Sequence, residues 1–365
     1  MRLGVEAALV DGALVRGDVA VEDGRVAAVG LAGGGRGIAA PGFVDLHVHG
    51  FGGVDFAAAD AAAYRRAGEA LLATGVTAFR PTFVTAPEEE LLASVRGVPG
   101  GDVGARVLGC HLEGPFLSPA RLGMHPAEAR RDPDAALLER LLAAGPVAHV
   151  TLAPELAGAL ELVDLLVARG VTVSCGHSDA TAEEAHAAFD RGASVVTHLF
   201  NAMRPFAHRD PGIAGAALAR DDVVVELILD GHHVADDAAR VAWRAAAGRV
   251  ALVTDAVMAA AVGDGRWRLG AVDVEVRDGV VRRLDGVLAG SVLTMLEAVR
   301  NLVRLGAPLQ AALDAATRVP ARAARTSSSS ATGWSSSASS SAATCGSPPD
   351  SRSARSSAGA TPDGP

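Results

Sequence analysis

Asp45-Leu46-His47-Val48-His49 ends the first of eight short apolar runs in this chain. Four later runs also end in residue types that bind metals: His111-Leu112-Glu113-Gly114-Pro115, Gly176-His177-Ser178, Thr197-His198-Leu199 and Thr254-Asp255-Ala256. From Pro41 onward strand-like runs alternate with Ala-rich helical ones, the pattern of repeated β-α units. Strands are predicted near 43–49, 77–84, 106–113, 148–153, 171–177, 194–199, 223–229 and 250–255, with helices between them that include 57–74, 155–169, 181–191 and 235–247. Eight such units predict an α/β chain folded as a closed (β/α)8 TIM-type barrel. Barrels of this type assemble their sites from the C-terminal ends of several strands, and every one of these groups falls at such an end.

Residues 1–40 alternate apolar and polar positions around Asp11-Gly12 and Asp23-Gly24, which are hairpin-type turns. They predict a small antiparallel sheet, the N-terminal strands of a small β-sandwich, with the barrel spanning 41–323. Residues 266–285 alternate again around Asp278-Gly279, predicting a β-hairpin before final helices at 291–305 and 308–317. From about Arg325 the chain turns to Ser, Ala, Thr, Gly and Pro with almost no large aliphatics. Such a segment, 324–365, buries too little apolar surface to offset its ordering entropy, so disorder is expected.

Hydrophobic residues make up 49% of the 365 and aromatics only 4%, so the core must be aliphatic. A formal net charge of −9 argues against nucleic acid or an anionic membrane as partner. Cys110, Cys175 and Cys345 are too few and too widely spaced for a disulfide framework. The start of the chain lacks the basic and apolar regions of a signal peptide, and no apolar stretch reaches membrane-spanning length, so a cytoplasmic protein is expected. The chain contains no lysine, which excludes a lysine nucleophile, a Schiff base or a carboxylated-lysine metal bridge.

His47 and His49 project to one side of a strand, because side chains alternate with period two. Two imidazoles facing one point can share a metal. Glu113 closes an apolar strand at the barrel mouth, where a carboxylate needs a counter-charge. His177 and His198 end consecutive strands about 4.8 Å apart, so both reach one ion. Three protein ligands and an open position for water make a catalytic zinc-like site. Asp255 is read as the group that takes a proton from the attacking water, or as a further ligand. His111, two residues before Glu113, is either a partner to a ligand or a packed core histidine. His125 is ambiguous, and the loops with Asn201, Ala202, Arg209 and His233 offer backbone amides, an Arg and a His that suit an oxyanion such as phosphate. His149, His186 and His208 read as structural or exposed.

Nine segments carry a resemblance: 41–50, 74–77, 111–116, 151–155, 176–180, 197–203, 230–234, 253–256 and 288–295. Together, in this order, they resemble the amidohydrolase superfamily and, within it, the N-acetylglucosamine-6-phosphate deacetylase family. The resemblance implies that Glu113, His177 and His198 hold the principal metal and that His47 and His49 match the branch able to hold a second. It implies that Asp255 is the catalytic acid/base, that His125 polarises the substrate carbonyl, and that Asn201, Ala202, Arg209 and His233 contact the sugar phosphate. It further implies a homodimer sharing site residues, and one or two divalent ions, Zn, Fe, Mn or Co, all of which accept His and carboxylate ligands. The products would be glucosamine 6-phosphate and acetate. Hydantoinase-like relatives use a carboxylated lysine, which this chain lacks. The family continues past the last helix with strands that complete the small sheet, and residues 325–365 hold nothing strand-like, which reads as a frameshift near Arg325. The competing readings are an amidohydrolase for another N-acyl substrate and a barrel disabled by its aberrant C-terminus.

Overall fold

Eight parallel strands form the body of the computed structural model, which describes residues 1–325. They are β1 (Phe43–Val48), β2 (Val76–Val84), β3 (Cys110–Glu113), β4 (Val147–Leu152), β5 (Thr172–Cys175), β6 (Val195–Val196), β7 (Val224–Leu227) and β8 (Val250–Leu252). Each pairs in parallel with the next. The ring closes where the chain leaving β8 meets β1. The Asp255 N–H donates to the His47 carbonyl at 2.9 Å, the His49 N–H donates to the Ala256 carbonyl at 2.8 Å, and the Thr254 hydroxyl donates to Asp45 at 2.5 Å. The expected barrel is therefore present, and the ends that close it carry the His-x-His pair and Asp255.

The strands are buried on both faces because helices cover the outside and side chains fill the inside. Local signals start the helices. Asp60 accepts from the Ala63 N–H to begin Ala61–Ala73, and reciprocal capping boxes, Thr181 with Glu184 and Thr294 with Glu297, begin Ala182–Asp190 and Met295–Arg304.

Three expectations are corrected. The single strand at 106–113 is two pieces, Ala105–Val107 and Cys110–Glu113, both alongside β2. Gly109 breaks it: its φ is +75°, and a Cβ there would lie 2.6 Å from the Pro146 carbonyl oxygen. The N-terminal segment is two small sheets and is not purely antiparallel. Ala7–Val10 pairs antiparallel with Ala13–Arg16 but parallel with Ile38–Ala39, while Asp18–Glu22 pairs with Arg25–Leu31; Val5, Ala8 and Val19 form a small core of their own. The hairpin at 266–285 is a three-stranded meander, Gly265–Leu269, Val272–Arg277 and Val280–Arg283, because Leu269, Val274, Val276 and Val281 give it an apolar face that packs on Val257 and Met258.

Ala324 and Arg325 finish the last helix rather than begin a tail: the Arg325 N–H bonds Arg322, and Ala324 accepts from Arg80. The expectation of disorder for the Ser-rich segment falls on 326–365, outside the described residues. Among the described residues no helix is long and apolar enough to cross a membrane.

Candidate metal centre

Glu113, at the end of β3, is the hub of the barrel mouth. Its Oε1 lies 3.0 Å from His177 Nε2 and 3.0 Å from His198 Nε2. Its Oε2 lies 3.5 Å from His49 Nε2 and 3.3 Å from His125 Nε2. On the opposite side Asp255 Oδ1 lies 3.0 Å from His49 Nε2 and 3.4 Å from His47 Nε2. The two imidazole pairs face each other tip to tip: His47 and His49 at 3.2 Å, His177 and His198 at 3.0 Å. All of these side chains are buried.

His177, His198 and Asp255 have φ of +47°, +31° and +50°. These are left-handed values, uncommon for residues other than glycine, and they cluster where a site requires them. Each turns a side chain from just past its strand end into the mouth. For Asp255 the turn is held from behind: the Ser291 N–H donates to its carbonyl at 2.7 Å. Gly290 permits that approach, since a Cβ there would sit 2.8 Å from the same carbonyl oxygen.

Hydrogen bonds on the far side of three of the four rings set where the lone pair points, while His198 Nδ1 has no partner among the described residues. Nδ1 of His177 meets the Arg121 carbonyl at 3.0 Å, Nδ1 of His49 meets the Thr82 carbonyl at 3.2 Å, and Nδ1 of His47 meets the Glu226 carboxylate at 3.4 Å. Those acceptors keep the proton on Nδ1 and leave the Nε2 lone pairs converging. Lone pairs at such separations repel unless a cation lies between them. Tetrahedral zinc, with bonds of about 2.0–2.1 Å, holds neighbouring donors about 3.3 Å apart. The donor set therefore fits a divalent metal, and it divides into two groups joined by Glu113, enough for one or two ions.

His125 is different. Its Nδ1 accepts the Thr85 N–H at 3.1 Å, so the proton of the neutral ring sits on Nε2. That N–H is buried 3.3 Å from Glu113 Oε2 and has no other partner among the described residues. His125 falls within ligand distance of Glu113 and His177, but its tautomer makes it a donor into the site and not a ligand.

Charge follows geometry. Burial works against ionised Glu113 and Asp255, yet the surrounding imidazoles hold Glu113 well below the usual carboxylate range and Asp255 at about 2. Burial likewise opposes a charged His47, but Glu113 and Asp255 raise it well above the ordinary imidazole value; the second proton so attracted sits on Nε2, at the position a metal ion would take.

Beneath the ligands lies a polar floor that sequence reading missed. His111 lies edge-on to His47 at 4.8 Å and stacks on His149 at 3.9 Å. A hydroxyl chain runs from His111 Nε2 through Thr151 and Thr197 to Ser174, each step 2.6–2.7 Å. Arg80 and Glu226 are buried in the same interior. Each is a charge in the middle of an apolar run, which was the signal available.

Burial drives His111 and His149 well below the ordinary value of 6.5. Their stabilising contribution is complete above that unfolded value and is lost as pH falls toward the folded one, because only the unfolded chain takes up the proton. Replacing His149 by Phe should therefore shift the balance toward the variant by about 1.4 kcal/mol for each pH unit below 6.5. Chemical denaturation of both proteins between pH 5 and 8 checks this; parallel curves would contradict it.

Of the residues expected to contact substrate, Asn201, Ala202 and His233 lie near the imidazole and carboxylate groups of the mouth. Ala202 and His177 both lie beside Gly123, whose added Cβ would sit 3.6 and 3.4 Å from them. The Asn201 amide donates to the carbonyls of His198 and Leu199. His233 Nδ1 pairs with Asp230 at 2.7 Å, and the charge of Asp255 is among those acting on it. Arg209 stands apart, exposed on the loop after β6 with no ion pair among the described residues.

A barrel whose strand ends gather His, Glu and Asp side chains able to hold a metal defines a metal-dependent hydrolase of the amidohydrolase type. The Amidohydrolase family model matches residues 38–330. The chain belongs to that family, on the branch of the N-acetylglucosamine-6-phosphate deacetylases. It is 40% identical over 288 residues to N-acetylglucosamine-6-phosphate deacetylase of Vibrio furnissii, covering 77% of this chain and 72% of that one. It is also 40% identical to N-acetylgalactosamine-6-phosphate deacetylase of Escherichia coli O157:H7, covering 77% of each chain. The fold matches an aspartate-to-alanine mutant of N-acetyl-D-glucosamine-6-phosphate deacetylase from Mycobacterium smegmatis, solved with N-acetyl-D-glucosamine 6-phosphate bound, at TM-score 0.83 and 40% identity over 88% of this chain and 90% of that one.

Proposed function

We propose that this chain hydrolyses the acetamide of N-acetyl-D-glucosamine 6-phosphate to D-glucosamine 6-phosphate and acetate. The observation that carries the reading is the division of labour around Glu113: converging Nε2 lone pairs on both sides of it, and one Nε2–H, that of His125, aimed at the same place. His47, His49, Glu113, His177 and His198 would hold one or two divalent ions. A bound ion supplies Lewis-acid polarisation and lowers the pKa of water.

Amide hydrolysis also needs a donor for the carbonyl oxygen and a proton for a poor amine leaving group. His125 Nε2–H supplies the first. Asp255 takes the proton from the attacking water and returns it to the departing nitrogen. Asn201, Ala202 and His233 position the sugar phosphate. Arg209 is exposed on the loop after β6, and in the homodimer that the family resemblance implies it would serve the neighbouring site.

The test is acetate release from N-acetylglucosamine 6-phosphate compared with unphosphorylated N-acetylglucosamine and N-acetylgalactosamine 6-phosphate. The reading expects kcat/KM highest for N-acetylglucosamine 6-phosphate and at least about 100-fold lower without the phosphate, the loss of one charge-assisted anchor. Equal rates on phosphorylated and unphosphorylated sugar would remove the phosphate assignment.

A further inference from the structure

Glu226 sits in the middle of Val223-Val224-Val225-Glu226-Leu227-Ile228-Leu229, the apolar run of β7, and is completely buried. An isolated carboxylate is expensive there unless something specific holds it. Its Oε2 lies 3.4 Å from His47 Nδ1 and accepts the backbone N–H of His198 at 3.4 Å. The Glu226 carbonyl accepts from the next backbone N–H, that of Leu199, at 2.8 Å. One residue thus reaches both ligand groups from below: the His-x-His side through an imidazole, and the His177–His198 side through the main chain of a ligand with left-handed φ.

We infer that Glu226 is the positioning residue that holds His47 and His198 in register for metal. The inference rests on the metal reading above. At His47, the carboxylate keeps the proton on Nδ1 and the ring turned so that Nε2 faces His49. At His198, it anchors the strained turn that carries the ring out of β6. Neither task brings Glu226 near substrate, so its loss should show in metal binding and not in substrate recognition. Partners of this kind typically contribute 10–100-fold in metal affinity or activity.

Arg80 is the second ionisable residue of the floor. Arg80 on β2 is also fully buried, donating to Thr172 at 3.4 Å and to the Ala324 carbonyl at 3.1 Å. Burial draws its pKa down to about 10, and Glu226 opposes that shift. The two side chains share the barrel interior, and removing one alone leaves the other buried without its counterpart.

The experiment measures Zn2+ affinity by competition with a chromogenic chelator, and metal per chain after dialysis, for wild type, Glu226→Gln and Glu226→Leu. Gln retains an oxygen for His47 and His198; Leu does not. Expected are a 10–100-fold weaker Zn2+ affinity for the Leu variant, rescue to within about threefold by Gln, and KM for the sugar phosphate little changed while kcat falls. Co2+ absorption should report altered ligand geometry in the Leu variant alone. If Glu226→Leu does not fold, Arg80→Met/Glu226→Leu removes both charges and answers the same question. A folded Leu or double variant that binds Zn2+ as wild type does would overturn the inference. Wild type that binds no Zn2+ would instead overturn the metal reading, and this inference with it.

Discussion

Asp255→Asn should leave the barrel folded and lower kcat by about 10²–10⁴-fold, the usual contribution of a positioned proton-transfer group. The geometry isolates the chemical role. Asp255 is held by main-chain bonds to His47 and Ser291, which the substitution keeps, and Asn fills the same volume. What changes is the ability to take a proton. His47 and His49 hold the carboxyl at about 2 against the effect of burial, so it is ionised throughout the working range. A weak base of this kind captures a proton only from strongly acidified water, and it hands that proton readily to a departing amine. Asn does neither. Steady-state acetate release and a thermal melt check the prediction together. A kcat within threefold of wild type would show that Asp255 is a structural group.

Glu113→Ala should have the other large effect, on metal content first and on rate as a consequence. Among the described residues Glu113 carries the sole carboxylate between the two imidazole pairs, with contacts of 3.0 Å to both His177 and His198. Removing it leaves four Nε2 lone pairs without their bridging anion. Loss of a ligand should cost more than the 10–100-fold typical of partners behind the ligands, so dialysed protein should retain less than one tenth of the wild-type metal. Activity should fall by at least the same factor and should not be rescued by excess Zn2+ at micromolar concentration. Metal analysis after dialysis decides it; full metal retention would place the ion outside the Glu113 hub.

How much of this was legible in the sequence depends on the kind of information each feature needs. The barrel was legible because its period is local: apolar runs of strand length alternate with Ala-rich helical stretches, and the strands buried on both faces show no competing alternation. The ligand types were legible for the same reason. A His-x-His shares one face of a strand by period two alone, and Glu113, His177, His198 and Asp255 stand out as polar residues terminating apolar runs. What the sequence could not show lies across space. The proton on His125 is placed by the Thr85 N–H, forty residues away in the chain. The lengths of β5, β6 and β8 were overread because the left-handed turns at His177, His198 and Asp255 end each strand early, and non-glycine residues give no warning of such turns. Glu226 and Arg80 were visible as charges inside apolar runs, but their meaning required knowing that the runs face one interior. The meander at 265–283 was read as a single hairpin because only its second turn, Asp278-Gly279, has the expected signature.

The central claim is that this metal cluster cleaves the acetamide of a sugar phosphate. The most direct measurement is the yield of acetate and free amine from N-acetylglucosamine 6-phosphate, using protein stripped with a chelator and then reloaded with Zn2+. The account predicts acetate and glucosamine 6-phosphate in equal amounts from the reloaded protein and at least about 100-fold less from the stripped one. Folded protein carrying its full complement of metal that releases neither product would contradict it.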